Sequence, residues 1–253
     1  MEHCECFERY EQKYLLNQEA YNRLRQELEQ KMALDQYGVS QIYSVYFDTP
    51  DHRMIRNSLD KPTYKEKLRL RSYGCAAAQK PVFLELKKKF GGIVYKRRAE
   101  MSLQSAEAYL YHGIYPAERS QVLREVDYLR AFYRELVPTA WIGYTRVALY
   151  GLEDPNLRIT FDWDLRWRDW DLHLGANTEG NPLLSPELRL MEIKLPGAMP
   201  MWMVRLFDAL ELYPTSFSKY GTAYQESVLQ GAVSRRVQVQ LPNGTTKGMI
   251  VCA

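Results

Sequence analysis

Apolar and charged residues alternate with a period of two along much of this chain, and that period marks strands. Successive side chains on a strand point to opposite faces, so each alternating run sorts into two sets. Lys65, Lys67, Arg69 and Arg71 interleave with Leu68 and Leu70, and Glu85, Lys87 and Lys89 interleave with Leu84 and Leu86. Gly91-Gly92 then suits a tight hairpin turn, because glycine accepts positive φ, into a run that carries Lys96 and Arg98. The pattern predicts about eight strands, over 7–16, 40–48, 64–73, 81–90, 93–101, 141–150, 157–170 and 187–195.

Between them the period changes to that of a helix. Asn17 is a good N-cap for 18–32, with the stripe Tyr21, Leu24 and Leu28. A short helix is expected after the Thr49-Pro50 turn, another over 105–111, and a longer one over 118–136 with Val122, Val126, Leu129, Tyr133 and Leu136 aligned. Pro200 opens a helix with Met203, Leu206, Phe207 and Leu210 on one side, and a last short helix after 214–218 ends near Leu229. No linker divides the chain, so the reading is a single domain over 1–229 and a loosely attached polar tail over 230–253, with a hairpin-like Pro242-Asn243-Gly244.

An ordinary half-buried strand gives its polar face to water. Here several neighbouring strands share a mostly basic face, which predicts a common charged interior. The expected fold is α+β: an eight-stranded antiparallel β-barrel with its charges inside and helices packed on the outside. Eight strands is about the size at which a barrel encloses a small ligand or a narrow channel. Enclosing so many like charges costs several kcal/mol each unless countercharges or an anionic ligand offset them.

Composition narrows the classes. With 253 residues, 46% hydrophobic and 26% charged, the chain is globular rather than disordered. No apolar run approaches the ~20 residues that span a bilayer, and the polar start has no targeting character, so a cytoplasmic location is expected. The net charge of +3 conceals an asymmetry: the positions assigned inward, Arg158 and Arg9 among them, hold 13 basic and 5 acidic side chains, which leaves the remainder net acidic. Four cysteines show no disulfide framework; His3, Cys4 and Cys6 offer soft metal donors, but on a terminus where fraying is the rule. There is no P-loop, no GxGxxG and no Ser/His/Asp set.

The chemistry therefore rests on the charged strand faces. Arginine forks at Arg69 and Arg71 match phosphate oxygens bidentately. Tyr144-Thr-Arg146 adds a guanidinium with a hydroxyl beside it. Glu192-Ile-Lys194 places a carboxylate in line with a lysine, the pattern of a metal ligand flanked by a phosphate contact, and Asp162 and Asp164 stand ready to support it. Ser218-Lys219 reads equally as a phosphate site at a helix N-terminus and as a plain N-cap. Trp163, Trp167 and Trp170 read as packing rather than base stacking.

These residues resemble the triphosphate tunnel metalloenzymes, and within them the vacuolar transporter chaperone (VTC) polyphosphate polymerase domain. The matching stretches run in order from Phe7-Glu-Arg-Tyr-Glu-Gln-Lys13-Tyr14 through Tyr46-Phe-Asp48-Thr49, Lys67-Leu-Arg69-Leu-Arg71, Glu85-Leu-Lys87 and Val94-Tyr-Lys96-Arg-Arg98. They continue with Tyr144-Thr-Arg146, Phe161-Asp162, Glu192-Ile-Lys194 and Phe217-Ser218-Lys219-Tyr220. The resemblance implies a tunnel that moves the γ-phosphate of ATP onto a growing polyphosphate chain. It assigns catalysis to Arg69, Arg71, Lys87, Lys96, Arg146 and Lys219, and further phosphate contacts to Lys13, Lys67, Lys89, Arg98, Tyr144, Lys194 and Ser218. Glu192 would hold Mn2+ or Mg2+, with Glu11 and Glu85 as the other acidic candidates. ATP and inorganic polyphosphate are the implied partners; nucleic acid is not, since a closed tunnel excludes duplex. A membrane protein that draws the product away is a further partner to consider, and oligomeric state stays open.

Three departures stand out. The hydrolytic branch carries Glu-x-Glu-x-Lys near its start, where this chain has Arg9-Tyr-Glu11-Gln-Lys13, which favours the polymerase branch. Ser216 replaces a basic residue usual two positions before the Ser-Lys pair, and Lys89 stands where some relatives have histidine. Hydrolysis of a triphosphate, with Glu11 and Glu85 as a second carboxylate cluster, and binding of polyphosphate or an inositol phosphate without turnover remain the alternatives.

Overall fold

The computed structural model describes residues 10–239 apart from Gly92, Ala176 and Pro196, and for 232–239 the course of a helix only. His3, Cys4, Cys6, Arg9 and the Pro242-Asn243-Gly244 turn lie outside the described residues. The elements run β1 (Tyr10–Leu16), α1 (Gln18–Leu28), β2 (Met32–Asp48), α2 (Arg53–Leu59), β3 (Tyr64–Tyr73), β4 (Pro81–Phe90) and β5 (Ile93–Ser102). There follow α3 (Leu103–His112), α4 (Gln121–Tyr133), β6 (Val137–Gly151), β7 (Arg158–Arg168), β8 (Asn181–Pro182), β9 (Arg189–Leu195), α5 (Met201–Ala209) and α6 (Lys219–Val239). The strands form one antiparallel sheet in the order β1-β9-β7-β6-β2-β3-β4-β5, with β8 paired to β7.

The period-two pattern decides what each face meets. On the convex face, Val45, Phe47, Leu68, Leu70, Leu84 and Leu86 pack under Ala106 and Tyr109 of α3 and Leu123, Val126 and Leu129 of α4. At the other end of the sheet, Tyr14, Leu149, Ile159, Met191 and Ile193 meet Leu24 and Leu28 of α1 and Met203 and Phe207 of α5. Burying one such aliphatic side chain contributes roughly 1.5–3 kcal/mol, so these two clusters hold the sheet curved around its charged side. Local signals start the helices: Asn17, Ser102 and Ser120 each accept a backbone N–H of the first turn.

Five sequence expectations change. The sheet is not a closed barrel, because among the described residues no ladder joins β1 to β5. Part of the free edge of β1 is taken by the 214–218 loop, where the Thr215 N–H donates to the Lys13 carbonyl at 2.7 Å, and Lys87 of β4 reaches across to Glu11 at 3.1 Å. The sheet has nine strands rather than eight, the extra one being the two-residue β8. α1 stops at Leu28, and Met32 already opens β2, which pairs with β6 through an irregularity between Leu34 and Val39 where Gly38 has φ +56°. Here cross-strand pairing outweighs the helical propensity of the local sequence. Finally, the helices are not all outside. Ile42, Tyr46, Ile142, Tyr144, Leu165 and Trp167 make one end of the concave face apolar, and Ile55 of α2 with Tyr220 and Ala223 of α6 cover it. α6 itself runs on to Val239, past residue 229.

Asp48 fastens this inner layer. Its carboxylate, fully buried, accepts the backbone N–H groups of Thr49, Met54 and Ile55 at 2.8–2.9 Å and the hydroxyl of Tyr220 at 3.0 Å. One side chain thereby starts α2 and ties α6 down. Asp48→Ala should lower stability by about 3 kcal/mol in urea unfolding; a loss below about 1 kcal/mol would mean that packing alone holds the two helices.

Candidate functional site

The charges on the concave face are sorted by register. β3 and β4 set Arg69 opposite Glu85, Lys67 opposite Lys87 and Lys65 opposite Lys89. β4 and β5 then set Glu85 opposite Arg98 and Lys87 opposite Lys96. The result is a carboxylate ringed by cations: Arg69 Nη2 at 2.7 Å, Lys96 Nζ at 2.8 Å, Arg98 Nε at 3.2 Å and Arg71 Nη1 at 3.8 Å from Glu85. Burial raises the Glu85 pKa, but Arg69, Arg71 and Lys96 outweigh it and hold the carboxyl well below the usual range. Glu85 thus orients Arg69, Arg71, Lys96 and Arg98 around one carboxylate.

Neutral groups complete the positioning. Arg69 donates to the Tyr46 hydroxyl at 2.9 Å, and Arg71 donates to Ser44 at 3.3 Å and Tyr144 at 3.1 Å. Burial pushes the Tyr46 phenol up, yet Arg69, Arg71 and Lys67 bring it down to about 8. Arg98 lies 3.7 Å above the Phe83 ring. Ser44 has no place in the sequence reading and Tyr46 stands there only within a matching stretch, without a role, although with Asp48 they form a period-two series on β2.

A second carboxylate organises the far wall. Arg146 grips Asp162 through Nε at 2.6 Å and Nη2 at 2.8 Å, and Lys219 Nζ binds the same group at 2.6 Å. Lys219 also sits 4.5 Å from the centre of the Tyr144 ring. Asp164 does not join Asp162: at a register irregularity in β7 it takes φ +49°, turns to the surface and pairs with Arg166. Arg158 stands opposite Lys194, exposed at the start of β7. Trp167 is buried in the inner apolar layer. Arg168, which the sequence gave no reason to single out, is also buried and donates to carbonyls of Trp170, Asp171, Asn177 and Glu179.

β1 and β9 supply the third group, with Lys13 opposite Glu192 and Glu11 opposite Lys194. Burial raises Glu192, but Lys194, Lys13, Arg146 and Lys219 hold it well below the usual carboxylate range. Its ion pair is a 3.9 Å approach by Lys194. Burial lowers both Lys13 and Lys194, with Glu192 opposing the shift in each. Lys13 donates to the carbonyl of Phe217 at 2.6 Å. Among the described residues no three acidic, histidine or cysteine side chains gather into a metal-binding cluster. A phosphate-bridging ion needs only one or two carboxylates, with phosphate and water completing its shell, and Glu192 meets that requirement.

Beside these groups lies a cavity of about 890 Å³, bounded by β1, β3, β4 and the 214–218 loop. Ser218 caps α6, accepting the Gly221 N–H at 3.1 Å, and the same oxygen accepts from Lys67 at 3.0 Å. Burial drives Lys67 down to about 8, with Lys13, Lys87 and Lys65 adding to the effect. Burial likewise lowers Lys96 to about 8 against the pull of Glu85.

The fold and this lining define an α+β protein with an open antiparallel sheet and a basic concave face. The family model for the VTC domain matches residues 8–228, and the chain belongs to that family. Among solved structures, a candidate adenylate cyclase from Bacillus halodurans is 15% identical with a TM-score of 0.51, over 83% of this chain and 95% of that one. A candidate adenylate cyclase from Vibrio parahaemolyticus is 13% identical with a TM-score of 0.45, over 85% of this chain and 97% of that one. No curated protein matches.

Two outcomes follow from the titrations. Lys67, Lys96 and Tyr46 hold their protons less tightly folded than unfolded, so between about pH 8 and pH 10 the unfolded chain binds more protons. Stability of the unliganded protein should therefore rise with pH across that interval, read from urea midpoints; a fall would contradict the depressed values. Glu85→Gln should lower the Lys96 pKa below about 8, followed by side-chain NMR, and an unchanged titration would show that Glu85 does not support that lysine.

Proposed function

We propose that this protein is a metal-dependent polyphosphate polymerase, which transfers the γ-phosphate of ATP to the end of an inorganic polyphosphate chain on its concave face. The observation that carries this reading is the pair of carboxylate-centred clusters, which aim Arg69, Arg71, Lys96, Arg98, Arg146 and Lys219 from opposite walls. Membership of the VTC family supports it.

The chemistry asks for no general base. A terminal phosphate oxygen of the acceptor is already anionic and attacks Pγ, the bond from Pγ to the bridging oxygen breaks, and ADP leaves with that electron pair. Positioning and neutralisation do most of the work in such a transfer. Arg69 and Arg71, fixed by Glu85, Tyr46, Ser44 and Tyr144, clasp equatorial oxygens as charge spreads over them. Arg146 and Lys219 face the leaving group from the Asp162 wall, and Lys87, Lys13, Lys67, Lys89 and Lys194 neutralise flanking phosphates. Glu192 would hold Mg2+ or Mn2+, with Glu11 on the neighbouring β1 as a further acidic group, and the ion would supply charge neutralisation to the phosphates.

The test incubates the protein with γ-labelled ATP and Mn2+ and resolves the products on a gel. A ladder of long acid-labile chains with ADP released is expected. Orthophosphate alone would make the protein a hydrolase, and intact ATP would make it a binding module. Arg71→Ala and Lys87→Ala should each cut synthesis by at least about 10²-fold with the thermal midpoint nearly unchanged; unfolding instead would make those side chains structural.

A further inference from the structure

Away from the charged clusters, two buried polar atoms stand without a hydrogen-bond partner among the described residues, and they fall together. They are Trp167 Nε1 on β7 and His52 Nδ1 just ahead of α2. Both side chains line a second, small cavity of about 10 Å³, which Thr139 of β6 and Tyr220, Ala223 and Tyr224 of α6 help to enclose. At its rim Ser227 donates to the Asp169 carboxylate at 2.9 Å.

An indole N–H can only donate. Buried without an acceptor it forfeits the hydrogen bond it makes to solvent in the unfolded chain, a cost that folded proteins rarely leave standing. His52 carries a cost of its own, since φ +58° is uncommon for a residue with a Cβ. Its backbone is fixed there: the N–H donates to the Thr49 carbonyl at 2.8 Å and the carbonyl accepts from Arg56 at 3.0 Å. The Tyr224 ring packs on the imidazole with centroids 5.1 Å apart, so the His52 side chain is held against the cavity. Thr139 is the third polar group. Its hydroxyl has one hydrogen to give, to Tyr220 at 2.7 Å or to the Tyr46 carbonyl at 3.3 Å, and it keeps lone pairs in either case.

Size and polarity then select the occupant. About 10–15 Å³ of such space holds one water molecule. A cation would be repelled by the indole hydrogen. A halide would accept from Trp167 but has nothing to donate to Thr139.

We propose that this cavity is a built site for a single water molecule, which accepts the Trp167 N–H and donates to the Thr139 oxygen and to Nδ1 of a His52 protonated at Nε2. The bridge joins β7 to the start of α2 and runs on through Thr139 and Tyr220 to the buried carboxylate of Asp48. The fastening of α2 and α6 by Asp48 is thereby one part of a longer polar chain that reaches β7. The bridge also gives a reason for a histidine at a left-handed position, where glycine would relieve the backbone. None of this depends on which reaction the concave face performs.

The experiment is a crystal structure of the full chain grown without halide, followed by one grown in bromide. An oxygen within hydrogen-bonding distance of both Trp167 Nε1 and His52 Nδ1 is expected. A dry cavity would overturn the site, and an anomalous bromide peak at that position would reassign it to an anion. Urea unfolding supplies a second measurement. Trp167→Phe and His52→Leu should each lower the midpoint, and the double variant should lose less than the sum, by a factor of about five in the unfolding constant. Strict additivity would mean that the two groups share no bridge. His52→Gly, which frees the backbone and removes the ring, should be less stable than the parent; a more stable variant would show that the imidazole gains nothing from the site. Where a substituted chain does not fold, the crystal structures of the parent still decide.

Discussion

Repulsion between cations on one curved sheet is the constraint that every other part of the structure answers to. A dozen lysines and arginines cannot share a concave face without compensation, and the compensation is local. Glu85 sits within 4 Å of four cations and Asp162 binds two. Each carboxylate is nearly or fully buried, so its attraction is little screened, and removing it would leave several charges uncompensated. The same bonds fix where the guanidinium planes face. Neutralisation and preorganisation are here one arrangement, because the acid that makes the cluster tolerable also aims it.

The scaffold follows from that demand. Two apolar clusters on the convex side hold the curvature, and a third on the concave side closes one end beneath α2 and α6. The start of α6 touches several parts of the interior: Ser218 meets Lys67, Lys219 meets Asp162, and Tyr220 stacks on Tyr46 at 4.6 Å while bonding Asp48. The helix start is thus held by both the charged and the apolar parts of the concave face.

Much of this was legible in the chain, for a definable reason. Period-two alternation marks strands and faces without tertiary information, which is why β3, β4 and β5 were read at nearly their true bounds and their charged residues assigned to one side. What escaped depends on partners distant in sequence. Of β2 only Met32 reads as helix, while 33–39 carry no strand signal until β6 lies beside them, and the inner apolar layer cannot be seen while one face is taken to be uniformly charged. Asp164 alternates correctly with Asp162 but lies beyond an irregularity that turns it outward. Closure rests on the shared charged face, the strand number and the family resemblance, none of which shows whether β1 and β5 pair. Tyr46 and Ser44 are ordinary strand residues until Arg69 and Arg71 are placed opposite them.

The seam between β1 and β4 is spanned by the Lys87–Glu11 pair, whose side chains are 39% and 22% exposed. Pairs of that exposure contribute about 0–1 kcal/mol, far less than a hydrogen-bonded ladder would. On the function proposed above, a groove bridged there by so light a pair would differ from a sealed pipe in how a polymer reaches it. A pipe must be threaded from a free end, whereas a seam that parts would admit a strand laid in along its length, and the number of chain ends in solution would then set no limit on loading.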